Sequence, residues 1–146
     1  MKLELKNIKH TAWASEETHC YQASLYVDGK PVATVSNDGH GGADRYYDHP
    51  KCVYSGRSAW CDKMQEVHEY FKSLPHTHSL EFWCADQVND WLSARELKKN
   101  LKKSYVYHFA DGAGMFAHKL RPASTVAVVL NDMPFADALA IWKETA

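Results

Sequence analysis

Three groups of residues in this 146-residue sequence have types and spacings that could do chemistry: a glycine-rich loop, scattered histidines and cysteines, and a run of cations. Asn37-Asp38-Gly39-His40-Gly41-Gly42 places three glycines in four positions, and bare consecutive amides can wrap an anion. Neither a following Lys-Ser/Thr nor a G-x-G-x-x-G opening a helix accompanies them, so nucleotide binding lacks support. The glycines read as a wide hairpin turn that needs positive φ. Asp38 and His40 are the residues that would touch a partner if the loop binds one.

Nine histidines and four cysteines raise the question of zinc. His49 and Cys52 stand three apart, Cys61 lies nine further on, and His40 or His68 would complete a set of thiolate and imidazole ligands. Zinc modules usually carry two paired ligand clusters, and only one pair is present. His76 and His78 share a face if the chain there is extended, which suits copper or nickel, but no third ligand accompanies them. Asp44 and Asp48 are of the type that binds hard cations, yet carboxylates in a loop beside tyrosines are ordinarily solvated. For thiol catalysis, His19 and Cys20 are adjacent, so on a strand their side chains point to opposite faces. Cys61 and Cys84 fall in amphipathic helical stretches and read as small core residues, while Cys52 sits in a loop and is expected to be exposed. G-x-S-x-G does not occur.

The cations carry the strongest signal. Residues 95–121 hold seven bases against two acids, while 1–50, 51–94 and 122–146 are each acidic by two charges, so one basic strip crosses a chain of net charge −1. If Leu97 and Leu101 face inward on a helix, then Arg95, Lys98, Lys99, Lys102 and Lys103 must crowd its outer side. Tyr105 and Tyr107 follow on one face of a strand, and Lys119 and Arg121 end the next. Aromatic planes are thus expected near cations, as in single-strand nucleic-acid sites. The bland alternative is a helix kept soluble by lysines and favoured by cations at its C-terminal end. The near-neutral total counts against a general DNA binder, and an acidic protein surface could dock on the same ridge.

The elements that must position these residues are legible from periodicity. Leu3, Leu5 and Ile8 alternate imperfectly. Tyr21, Ala23, Leu25 and Val27 alternate strictly before the turn pair Asp28-Gly29, after which Val32, Ala33 and Val35 continue. Arg45-Tyr46-Tyr47 resumes the sheet. Trp60, Met64, Val67, Phe71 and Leu74 step as one helical face, with Ser58 as cap and Pro75 as stop. Cys84, Val88, Trp91 and Leu92 mark a second helix ending near Ser93. Ser93-Ala94-Arg95-Glu96 matches a capping box and predicts a third, short helix. Tyr105–Phe109 and Met115–Ala117 form a hairpin around Asp111-Gly112-Ala113-Gly114, and Val126–Leu130 reads as a buried strand. Pro134 opens a terminal helix from about Phe135 to Trp142.

Hydrophobic residues at 45% and charged residues at 24% are those of a folded globular domain, and the length suits one domain, 1–146. The expected fold class is α+β: an N-terminal antiparallel hairpin with later strands, a central helical group and a C-terminal helix. Trp60, Phe71, Trp91, Leu97, Val128 and Trp142 are the expected core. No apolar run is long enough to cross a bilayer. The opening Met1–Lys6, which alternates leucine with charge, lacks the apolar stretch of a secretory signal, so a cytoplasmic protein with reduced thiols is expected.

Several segments are similar to a family of small uncharacterised bacteriophage and prophage proteins. They are Leu5-Lys6-Asn7-Ile8-Lys9, Ser15–Thr18, Leu25–Lys30 and Asn37–Gly42, together with the basic Leu97–Lys103 helix. Val129-Leu130-Asn131, Met133-Pro134-Phe135 and Ala138–Ile141 complete the resemblance, which spans most of the chain. It implies a mobile-element product in a bacterial host cytosol but imports no activity. The expectation is therefore a non-catalytic accessory protein, without a cofactor, that binds and modulates a host macromolecule, for example as an inhibitor of host defence. Nucleic-acid binding through residues 95–121 and a metal-dependent hydrolase are the two rivals.

Overall fold

The computed structural model describes residues 1–54, 62–75, 78–110, 112, 114–123 and 127–145. Ser58, Trp60, Cys61, His76, Asp111, Ala113 and Val126 lie outside that set. The fold is α+β, as the patterning predicts, and the chain packs into two compact units, Met1–Val88 and Asn89–Ala146.

In the first unit, β1 (Leu3–His10), β2 (Cys20–Val27), β3 (Lys30–Asp38) and β4 (Arg45–Asp48) form an antiparallel sheet in chain order. The strict alternation on β2 becomes its buried face: Tyr21, Ala23, Leu25 and Val27 are all at most 5% exposed. β3 answers with Val32, Ala33 and Val35, two of them consecutive because a register shift between Leu25 and Tyr26 turns an extra residue inward. Asp28 and Gly29 both take positive φ, 50° and 82°, the geometry whose twist matches a tight hairpin. Helix α1 (Asp62–Lys72) buries Met64, Val67 and Phe71 and packs on β3. Its last carbonyls are closed by Ser73 and Leu74, short of Pro75.

Helix α2 runs unbroken from Leu80 to Lys103, which corrects the expected stop near Ser93. A capping box works by satisfying backbone N–H groups that lack a partner one turn earlier. Here the preceding residues are already helical, and neither glycine nor proline interrupts the segment, so propagation continues through the signal. Leu80, Cys84 and Val88 form its buried stripe in the first unit.

The second unit holds the rest of α2, then β5 (Tyr105–Phe109), β6 (Phe116–His118), β7 (Ala127–Val129) and α3 (Phe135–Thr145). The sheet order is β6-β5-β7, antiparallel throughout. Leu97 of α2, Val106 of β5, Leu130 and Ala138 of α3 make its buried centre, with Leu101, Met115, Met133, Phe135, Leu139, Ile141 and Trp142 around them. Asn131 locks this arrangement: its Nδ2 donates to the Leu101 and Ser104 carbonyls at 3.3 and 3.0 Å, and its Oδ1 accepts from the Val106 N–H at 2.8 Å. The side chain thereby caps α2 and fixes the start of β5.

Among the expected core residues, Phe71 and Leu97 are buried, whereas Trp91, Val128 and Trp142 are half-buried. Val128 is less buried than expected because β7 is an edge strand; Leu130, just beyond it, takes the interior place in a 3₁₀ turn.

Candidate functional site

The cationic ridge exists. Leu97 is fully buried and Leu101 half-buried, so the opposite side of α2 presents Arg95, Lys98, Lys99, Lys102 and Lys103, all exposed. A groove of about 420 Å³ is lined by Trp91, Ala94, Arg95, Lys98, Lys99 and Lys102. The Arg95 guanidinium lies 5.2 Å from the centre of the Trp91 ring, one turn earlier, and the Lys98 ammonium 5.1 Å from the Phe135 ring. Such cation–π contacts hold the cationic heads near the helix without neutralising them. Among the described residues no carboxylate forms an ion pair with any of these five cations. Lys143 of α3, by contrast, pairs with Asp90.

Tyr105, Tyr107, Lys119 and Arg121 occupy a different place. β5 sends Val106 into the centre beside Leu97, so Tyr105 and Tyr107 project from the other side of the sheet. Aromatic planes do lie near cations, but Tyr105 and Tyr107 stand on the other side of β5 from the helical lysines, and the rings beside the ridge are Trp91 and Phe135. Arg121 does reach Tyr105, 5.0 Å from its ring centre. It is not a free cation, because it forms a bidentate pair with Asp132 at 2.7 and 2.8 Å, and this pairing holds the Asp132 carboxyl below its usual range. Lys119 is exposed. Sequence reasoning missed Trp91 as a ridge residue, although its spacing of four from Arg95 was the available signal.

The glycine loop is committed to its own chain. Gly39 has φ 85°, and a Cβ there would stand 2.1 Å from the Ala14 carbonyl oxygen. Its own carbonyl accepts from the Glu17 and Thr18 N–H groups at 3.0 and 3.3 Å. Buried Asn37 ties the loop together. Its Oδ1 accepts from the Thr18 hydroxyl at 2.8 Å and the Gly39 N–H at 2.9 Å, while its Nδ2 donates to the Gly42 carbonyl and to Asp44 Oδ1, both at 3.0 Å. The His40 and Gly41 amides donate to Asp38 Oδ1 and the Thr18 hydroxyl at 3.2 and 3.4 Å. These N–H groups are therefore engaged by the chain's own oxygens. Asp38 also meets Arg45 at 3.4 Å, and the His40 ring meets Glu16 at 3.4 Å.

Asp44 is neither merely solvated nor arranged as a cation ligand. It accepts from the Tyr21 hydroxyl at 2.8 Å and from Asn37. Burial, reinforced by the nearby Asp44 charge, pushes the Cys84 thiol up to about 12, and the Tyr21 and Tyr46 phenols are raised for the same first reason. A thiol so held is a core residue, not a nucleophile. Cys52 is buried, against expectation: the turn that hydrogen-bonds its N–H to the His49 carbonyl at 2.9 Å folds it inward. His49 Nδ1 accepts from the Lys51 N–H at 3.0 Å. Among the described residues no three His, Cys, Asp or Glu side chains are placed to hold a metal; Cys61 and His76 lie outside them.

One pairing was not foreseen. His10 Nε2 and His19 Nδ1 are 3.1 Å apart, with the Ser15 hydroxyl 3.3 Å from His10. Ser15 is tied to the backbone, donating to the Thr11 carbonyl at 2.7 Å and accepting from the Cys20 N–H at 2.9 Å, so the trio clips a turn rather than arming a hydroxyl. No helix of the described residues is long and apolar enough to cross a membrane. Compared with protein-family models, curated proteins and solved structures, the chain shows no match.

Proposed function

We propose that this protein acts by binding rather than by catalysis, and that the groove on α2 docks a negatively charged macromolecule. One observation carries the reading: Arg95, Lys98, Lys99 and Lys102 converge beside an indole, and no carboxylate among the described residues neutralises them. Four uncompensated like charges on adjacent turns repel one another, and an anionic partner removes that cost while gaining salt-dependent affinity. In the phage or prophage setting that the sequence resemblance implies, the partner is a host macromolecule whose activity the bound protein modulates. The engagement of the loop amides, of Ser15 and of Cys84 within the fold supports a non-catalytic role.

Heparin chromatography tests the ridge. The wild type is retained, and Lys98→Glu/Lys99→Glu/Lys102→Glu elutes at clearly lower salt with an unchanged circular dichroism spectrum. Elution of both proteins at the same salt refutes the reading.

A further inference from the structure

We propose that the open face of the second sheet is a stacking platform for unpaired nucleobases, so that single-stranded nucleic acid is the anionic partner; the choice of an anion rests on the binding role inferred above. Directly opposed residues in an antiparallel pair share a face. Tyr107 opposes Phe116 and Tyr105 opposes His118, and Phe109 follows Tyr107 by two. The rings form one contiguous array. Tyr107 stacks on Phe116 at 5.7 Å between centres and 23° between planes, and on His118 at 6.1 Å and 30°. Phe109 meets the Phe116 edge at 5.9 Å.

This array is not the unit's core, because Val106 projects from the other face into that core. Phe116 is 40% exposed and His118 is exposed as well. Cross-strand aromatic pairs do stabilise a sheet, but that role does not require a phenylalanine turned to water. The charges select the ligand. Lys119 follows β6 directly and is exposed, and Arg121, whose charge Asp132 neutralises, lies against Tyr105. Exposed rings beside a lysine left without an ion pair among the described residues match unpaired bases on a phosphate backbone, whereas a duplex hides its base faces.

Fluorescence anisotropy with a labelled thymidine strand of roughly 20 nucleotides, long enough for one site, tests the proposal against an abasic strand of equal length and a duplex. The wild type should bind the thymidine strand at least about tenfold more tightly than the abasic one, a difference within the range for stacking one base. Phe116→Ala should remove most of that preference and leave heparin retention unchanged. Phe116→Trp, which keeps an aromatic plane, should restore it and covers the case in which the alanine variant fails to fold. Equal affinity for thymidine and abasic strands overturns the platform and leaves the ridge standing. A wild type that heparin does not retain overturns the ridge. A concentration-dependent dimer that Phe116→Ala dissolves, in place of strand binding, also overturns the platform.

Discussion

Replacing Gly39 by alanine separates two costs that usually travel together. The first is conformational: at φ 85° a Cβ-bearing residue is strained by about 1 kcal/mol. The second is a collision, since the new methyl would sit 2.1 Å from the Ala14 carbonyl oxygen. Relief requires the 14–18 segment to retreat from the loop, which loosens the two hydrogen bonds that Glu17 and Thr18 donate to the Gly39 carbonyl, each worth about 1 kcal/mol. The sum is about 3 kcal/mol. Gly29 supplies the control: its φ is 82°, but nothing lies within 4 Å of an added Cβ, so only the conformational cost of about 1 kcal/mol applies. At about 3 °C per kcal/mol for a chain of this length, Gly39→Ala should lower the melting temperature by about 9 °C and Gly29→Ala by about 3 °C. Thermal and urea unfolding followed by circular dichroism measure both. Equal losses would show that the loop is not clamped on the 14–18 segment and would refute the reasoning.

Two further outcomes are expected. The folded state holds the Cys84 proton more tightly than the unfolded chain does, because burial raises the thiol from 9.0 to about 12. Its contribution to stability is therefore complete below pH 9 and is lost as pH rises toward 12, with Tyr21 and Tyr46 acting in the same direction. The urea midpoint should fall between pH 8 and 10.5, by the equivalent of about 2 kcal/mol from Cys84, and Cys84→Ala should flatten that fall; a pH-independent midpoint contradicts the burial. Asn131→Ala should cost about 2–3 kcal/mol in urea unfolding, since it orphans the Val106 N–H and releases the Leu101 carbonyl of α2 and the Ser104 carbonyl just beyond it. An effect below that of an ordinary surface substitution would rule out the cap.

Much of the fold was legible because the relevant signals are local. The β2 alternation, the Asp28-Gly29 turn and the Met64-Val67-Phe71 step each depend on residues a few positions apart, and each appears where its period says. The Ser93 capping box misled because a start signal has meaning only if the preceding turn is not helical, and that depends on the whole segment. The engagement of the glycine loop with Ala14, Glu17 and Thr18 depends on segments brought together across the fold, from which no short pattern can be read. The ridge was legible for the same reason as the strands: Leu97 and Leu101 fix which side of α2 faces out. Its separation from Tyr105 and Tyr107 follows from β5 pointing Val106 inward, a fact that charge counting along the chain does not contain.

The margins of the two sheets bear on how this protein meets others. β1, at one border of the first sheet, breaks register between Lys6 and Lys9, where Asn7 takes φ 55°; β4, at the other border, spans four residues, and β6 and β7 span three each. A kinked or very short border offers an incoming peptide few successive amides to zip onto. Recruitment by strand addition, and runaway growth into fibrils, are both discouraged by this construction. For a protein that binds as proposed, recognition is left to side chains, whose identity evolution can change one position at a time without rebuilding the scaffold.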